Sequence, residues 1–349
     1  TQTNAQLFPI APSLIPLTFT GAKNISPSPD GEKIVFYSAS ASTDMKNGLY
    51  VLELNDSVLS FNKQAKQILT DKSRIFDFSN SQFVWSPDST QLIIINPLKD
   101  VIVEIDKKID VTTLPNVGKQ KQQILSEWQE EMYLRERQFL AKFPKEIINI
   151  ATQSAKNVYI SPDKKRLLYT ATKEMNLPEN LVPPIPSTNT QMEMRQLSPE
   201  NIYVYDREED KNFLVGKENS STNTLDGGMV KHLLAIDLFD KKAQTLEASP
   251  GAFISLQGKT DDETVDNFAR YHTSLYTHGL QWFTDSKHLI NINENKIHIK
   301  EYDNSNETTI YSGPFEDSFV YPWPNGSKLV INTSFSPETA PNLYAIELK

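Results

Sequence analysis

The sequence contains no cysteine. Disulfides, Cys-ligated zinc, iron–sulfur clusters and cysteine nucleophiles are therefore excluded. The compartment stays open, because a Cys-free chain suits an oxidising exterior yet also occurs in reducing interiors. Glycine is scarce, with 12 residues in 349, and no Gly-rich phosphate loop or dinucleotide fingerprint is present. No Gly-x-Ser-x-Gly elbow occurs, which removes the usual support for a serine hydrolase. Positive charge is in deficit: 35 Lys plus Arg stand against 44 Asp plus Glu, a net charge of −9. Such a chain is a poor candidate for broad binding to nucleic acid or anionic membranes. The longest apolar runs, such as 92–95 and 101–103, fall far short of the ~20 residues a bilayer-spanning helix needs. No basic-then-apolar leader opens the chain.

What is present is ordinary for a folded soluble protein, with 38% hydrophobic and 23% charged residues. A length of 349 residues suits two domains or one large all-β domain. Self-similarity decides between them. Five segments, 24–36, 83–94, 158–169, 280–290 and 319–330, share an apolar stretch, a Pro/Asp/Gly-type turn and a second apolar strand. Proline presets φ for such a turn, and Asp or Asn caps it through the side chain. Further apolar strands follow, as in 48–53, 101–106, 201–206, 296–303 and 342–347, and then closing strands at 67–70, 212–215 and 308–311. About four strands per unit is the blade of a β-propeller.

The Trp-Ser-Pro-Asp-Gly-like unit resembles the propeller repeat of the TolB-type family, over most of residues 24–348. Segments 155–163, 201–214 and 313–330 further resemble bacterial envelope proteins in which a membrane-anchored PEGA-type domain precedes such a propeller. No PEGA domain is visible here. The resemblance implies an extracytoplasmic chain, at the cell surface or in a periplasm-like space. It also implies a tether through a segment upstream of Thr1 in a longer precursor.

The turn Asp or Asn falls at 30, 88, 163, 285 and 325. A blade takes ~40–45 residues, so the wide interval between Asp163 and Asp285 has room for a degraded unit around 225–236. The expected fold is all-β: a propeller of about six four-stranded blades over 14–349, with five as the alternative and 1–13 as an extension. The last unit ends after its third strand, so residues 13–19 are expected to close it from the N-terminus.

Three insertions interrupt the repeats. Residues 118–155 read as a helical hairpin. Ile124, Leu125, Trp128, Met132, Arg135, Phe139, Leu140 and Phe143 recur at helical spacing, and Pro144 breaks the pattern. Its apolar stripe either packs on the ring or forms a partner-binding arm, and in the second case Trp128, Tyr133 and Phe139 are the candidate contacts. Residues 177–199 are Pro-rich and should be extended and surface-lying, as a loop or as a peptide-like ligand or lid. Residues 217–275 are mixed, with a capping box at 260–263.

Catalytic constellations are missing. His288 and His298 share one unit but lack metal-ligand company, and His232, His272 and His278 form no motif. Asp30, Asp88, Asp163 and Asp285 occupy one repeat position and read as turn caps. Trp85, Trp282 and Trp323 read as packing between blades. No cofactor or metal is expected. The sequence points to a non-catalytic binding or scaffold propeller of the cell envelope with a protein or envelope component as partner. The alternative is a carbohydrate-active or other hydrolytic propeller with acids at the channel mouth.

Overall fold

The computed structural model describes residues 13–39, 47–55, 65–73, 75–186, 189–218, 280–336 and 339–348. The chain is mostly β, arranged as several antiparallel sheets that follow one another in sequence. The short strand β1 (Leu14–Pro16) comes first and belongs to the last sheet. Sheet I is a meander of β2 (Lys23–Pro27), β3 (Lys33–Ser38), β4 (Gly48–Glu53) and β5 (Lys66–Thr70). Sheet II holds β6 (Gln82–Trp85), β7 (Gln91–Ile95) and β8 (Val101–Glu104).

A four-stranded unit II was expected, and here the structure differs. The chain does turn back after β8, but β9 (Ile109–Asp110) pairs in parallel with β5 of sheet I, Leu69 opposite Ile109. The Thr70 hydroxyl bonds the Asp110 carboxylate at 3.1 Å, and Lys66 Nζ donates to the Asp106 carbonyl at 2.8 Å. Val111, fully buried, then plugs the core between sheets I and II. The strand moves to the neighbouring sheet because its polar ends find partners there.

Two helices follow, α1 (Lys121–Leu140) and α2 (Lys145–Gln153), with Pro144 at the cap position before α2. Sheet III comprises β10 (Ala155–Ile160), β11 (Arg166–Ala171), β14 (Asn201–Asp206) and β15 (Lys211–Lys217). The Pro-rich insertion leaves it between β11 and β14 and carries the small pair β12 (Met175–Asn176) and β13 (Gln196–Leu197). Sheet IV is β16 (Leu280–Trp282), β17 (His288–Asn293), β18 (Lys296–Glu301) and β19 (Glu307–Tyr311). Sheet V is β20 (Val320–Pro322), β21 (Lys328–Thr333) and β22 (Asn342–Glu347), completed by β1. In that closure Leu14 lies opposite Ile346 and Pro16 opposite Tyr344, with Pro16 exposed at the strand end, where its missing N–H costs least.

The first two strands of each unit are joined by a turn with a common mechanism. In sheet II the Ser86 hydroxyl donates to Asp88 Oδ1 at 2.6 Å, and that oxygen also accepts from the Thr90 N–H at 3.1 Å. The next residue takes a left-handed backbone in every unit: Gly31, Ser89, Lys164, Ser286 and Gly326, with φ from 60° to 77°. Asp30, Asp163 and Asp285 receive equivalent backbone N–H bonds.

Alternating side chains put an apolar row on each face, and sheets pack face to face through these rows. Val35, Leu49, Trp85 and Leu92 fill the space between sheets I and II. Ile34, Phe36, Trp323 and Val330 join V to I. Phe283, Ile290, Leu329 and Ile331 join IV to V. Leu168, Val204, Phe213 and Leu289 join III to IV. Each such fully buried side chain contributes about 1.5–3 kcal/mol. The tryptophans serve these junctions: Trp85 Nε1 donates to Ser26 Oγ and Trp282 Nε1 to the Tyr159 carbonyl, both at 3.0 Å.

Sheets III and IV are in direct contact. The Asp163 N–H reaches Ser286 Oγ at 2.8 Å, and Lys300 Nζ reaches the Val215 carbonyl at 2.6 Å. Sheets III and IV are therefore neighbours, although the turn residues Asp163 and Asp285 lie 122 positions apart in the sequence. The expected degraded strands at 225–236, the capping box at 260–263 and most of 217–275 lie outside the described residues, as do His232, His272 and His278.

Candidate binding surface at the inserted hairpin

Sheets II and III do not meet as the others do. The helical hairpin is placed between them. On one side, Leu125 of α1 packs with Val84 and Ile93 of sheet II, joined by Ile124, Trp128 and Met132. On the other side, Leu140, Phe143, Ile147, Ile150 and Ala151 pack on Val158, Leu167, Tyr169 and Tyr205 of sheet III. Both sequence signals are visible here: the stripe at i, i+3, i+4 makes the helix, and its width of two flanks gives it two sheets to cover.

Polar contacts finish the seam. Arg135 Nη1 donates to the Pro87 carbonyl in the turn of sheet II at 2.8 Å, while its Nη2 pairs with Glu131 at 2.5 Å. From the turn of sheet III, Lys164 places its ammonium 4.8 Å over the Phe139 ring, and Lys142 lies 5.6 Å from the same ring. Lys164 also faces Glu136. Burial pushes the Glu136 carboxyl up to about 7, opposed by Lys164. Burial in turn draws the Lys164 ammonium below its usual value, opposed by Glu136 and Asp163.

The sequence-predicted contacts are distributed as follows. Trp128 is half-buried against sheet II. Phe139 is half-buried beneath two lysines. Tyr133 lies on α1, and its side chain is outside the described residues. Trp128 and Phe139 are thus on the packing stripe, separated by eleven residues, and are not brought into one exposed patch. The outward face of α1 is charged, with Glu127, Glu130, Glu131 and Arg135 exposed, and among its described side chains one large apolar group stands in the open, Leu134, at 47%. Sequence reading missed Leu134. The available signal was a leucine among charged residues, off the apolar stripe.

Elsewhere the acids are engaged in structure. The Asp88 carboxyl is held below its usual range by the Ser86 hydroxyl, against partial burial and with help from Thr90. Arg166 sits 2.7 Å from buried Asp206 and 4.2 Å over the Tyr302 ring, tying sheet III to sheet IV. His288 Nδ1 lies 2.6 Å from Asp285 and His298 bonds Thr309, so the two histidines have separate partners. Among the described residues no group of three or more His, Asp or Glu is placed to hold a metal ion. A shallow depression of about 640 Å³ lies between the β17–β18 turn and the β19–β20 loop, edged by Glu294, Lys296, Phe315 and Asp317. No described helix is long and apolar enough to cross a membrane.

No family model matches the chain. No curated protein matches it by sequence. Among solved structures, the chain is similar to an Agrobacterium tumefaciens protein described as TolB, at 12% identity over 96% of this chain and 83% of that one, with a TM-score of 0.26. It is similar to TolB from Acinetobacter baumannii at 11% identity, over 97% of this chain and 55% of that one, TM-score 0.25. It is similar to Porphyromonas gingivalis dipeptidyl peptidase 4 at 10% identity, over 95% of this chain and 39% of that one, TM-score 0.24. The chain therefore spans about half the length of the second of these proteins and less than half of the third.

Proposed function

We propose that the chain is a non-catalytic β-propeller of the cell envelope, working outside the cytoplasm as a protein-binding or scaffold module. The five described sheets and the α1–α2 wedge belong to its ring, and the outward face of α1, with Leu134 at its centre, meets the partner. The observation that carries the reading is the order of packing: sheets I and II, III and IV, IV and V, and V and I meet through apolar junctions, the helical hairpin bridges II and III, and β1 completes sheet V. A ring closed by its own first strand is a rigid platform, and it lets insertions be displayed without loss of the core. The seam packing of Trp128 and Phe139 supports a supporting role for those rings beneath a polar contact face. The engagement of the turn carboxylates as caps supports the absence of catalysis.

The test is affinity capture from the envelope fraction of the native organism with the intact chain and with Leu134→Asp. A partner held by the intact chain and lost from the variant, with melting unchanged, is the expected result. Equal recovery by both chains removes α1 from the reading. Turnover of glycan or ester substrates by the purified chain overturns its non-catalytic part.

A further inference from the structure

The Pro-rich insertion of sheet III has a shape that its sequence alone does not give. It is tied down at intervals along its length. The Leu177 N–H donates to the Arg195 carbonyl at 2.8 Å, which starts the strap beside its own return limb. Arg195 Nη1 holds the Pro178 carbonyl at 2.5 Å. Asn180 turns the chain with a left-handed backbone, φ 61°, and the Leu181 N–H then bonds buried Asp210 at 2.8 Å. Beyond the next stretch, Asn189 is clamped from three directions. Its N–H donates to Glu209 at 2.9 Å, its side-chain amide donates to Asp303 of sheet IV at 2.6 Å, and its carbonyl accepts from Lys211.

Between the Leu181 and Asn189 anchors runs Pro183-Pro184-Ile185-Pro186, and all four residues are exposed. Ile185 is a large aliphatic side chain left 41% open. Three of the four residues have no N–H to satisfy and have φ fixed near −65°, so water and extended backbone suit them without a sheet partner. Consecutive prolines bias one another to the extended form. The result is a short Pro-x-x-Pro element held at both ends. The anchors have already paid the ordering entropy that usually weakens peptide recognition. Carboxylates stand at both ends, with exposed Glu179 before the element and Glu209 and Asp303 at the Asn189 clamp.

We propose that residues 183–186 are a displayed polyproline II ligand for a partner domain whose groove is lined by aromatic rings and rimmed by Lys or Arg. Proline rings and Ile185 fill the slots between the aromatic rings, outward carbonyls accept from Trp or Tyr donors, and the acidic flanks select the basic rim. This surface is separate from α1 and does not depend on the partner assigned there.

The full chain tests it, titrated by calorimetry with purified SH3, WW and EVH1 modules as probes. Saturable binding to at least one module is expected, weakening as salt rises. A variant carrying Pro183→Ala, Pro184→Ala and Pro186→Ala should bind at least tenfold more weakly with an unchanged melting temperature. Ile185→Asp keeps every proline and should weaken binding as well. Absence of saturable binding to all three modules overturns the proposal. So does equal affinity of the intact chain and both variants.

Discussion

The backbone N–H of Asp163, in the turn of sheet III, donates to the hydroxyl of Ser286, in the turn of sheet IV, at 2.8 Å. Asp30 and Ser89 repeat the contact between sheets I and II at 3.0 Å. Both serines are 1% exposed and both have a left-handed backbone. Where the following unit has glycine at this position, as at Gly31 and Gly326, there is no hydroxyl to give. Serine here accepts backbone strain in exchange for a latch to the preceding sheet.

Ser286→Ala should therefore lose the latch and keep the strained φ, for a cost of about 1–2 kcal/mol. Ser286→Gly loses the same bond but relieves the backbone, so it should cost less than the alanine change. Denaturant melts of the two variants check the order. Alanine less destabilising than glycine contradicts it.

Stability should depend on pH through Glu136. The unfolded carboxyl ionises from about 4.5 and the folded one from about 7, because burial outweighs Lys164. Folding takes up a proton in that window. The contribution is full below 4.5 and is lost as pH rises to 7, by about 3 kcal/mol at most. In Glu136→Gln this fall should vanish from a series of thermal melts between pH 4.5 and 8. Parallel curves for the two proteins would assign the pH dependence to other groups.

The hairpin stripe should be a stability element. Leu125 is fully buried between α1 and sheet II, so Leu125→Ala should cost about 2–5 kcal/mol. Leu134→Ala, on the open face, should stay within about 0.5 kcal/mol. Chemical denaturation measures both, and similar losses at the two positions would place α1 differently.

Arg166 pairs with Asp206, which is fully buried, and stacks on Tyr302. Arg166→Met leaves that carboxylate without its cation and should cost about 3–5 kcal/mol. The double change Arg166→Met with Asp206→Leu should recover part of the loss. A double variant no better than the single one denies the coupling.

Removal of residues 1–16 takes β1 from sheet V. The outer edge of β22 is then bare and Leu14 no longer packs with Ile346. The melting temperature should fall markedly and the chain should associate through the open edge. Melting and size-exclusion chromatography report the two effects, and an unaltered monomer with unaltered melting removes the closure role.

The repeat turns were legible in the sequence because they are local: Ser-Pro-Asp fixes φ, caps itself and precedes β-branched residues within about ten positions. The helices of 118–155 were legible for the same reason, since periodicity in α1 and the break at Pro144 need only neighbours along the chain. The closing strand could be anticipated from an unfinished last unit. Three matters were decided only in three dimensions. Strand β9 left its own unit because Thr70 and Lys66 of sheet I offered partners. The hairpin came to lie between two sheets, which half-buried Trp128 and Phe139 and left Leu134 outside. Sheets III and IV met directly, which the spacing between Asp163 and Asp285 could not tell, because residues 122 positions apart in sequence can lie side by side in space. Local chemistry writes the units of this protein; which faces meet is settled by packing between segments far apart in the sequence.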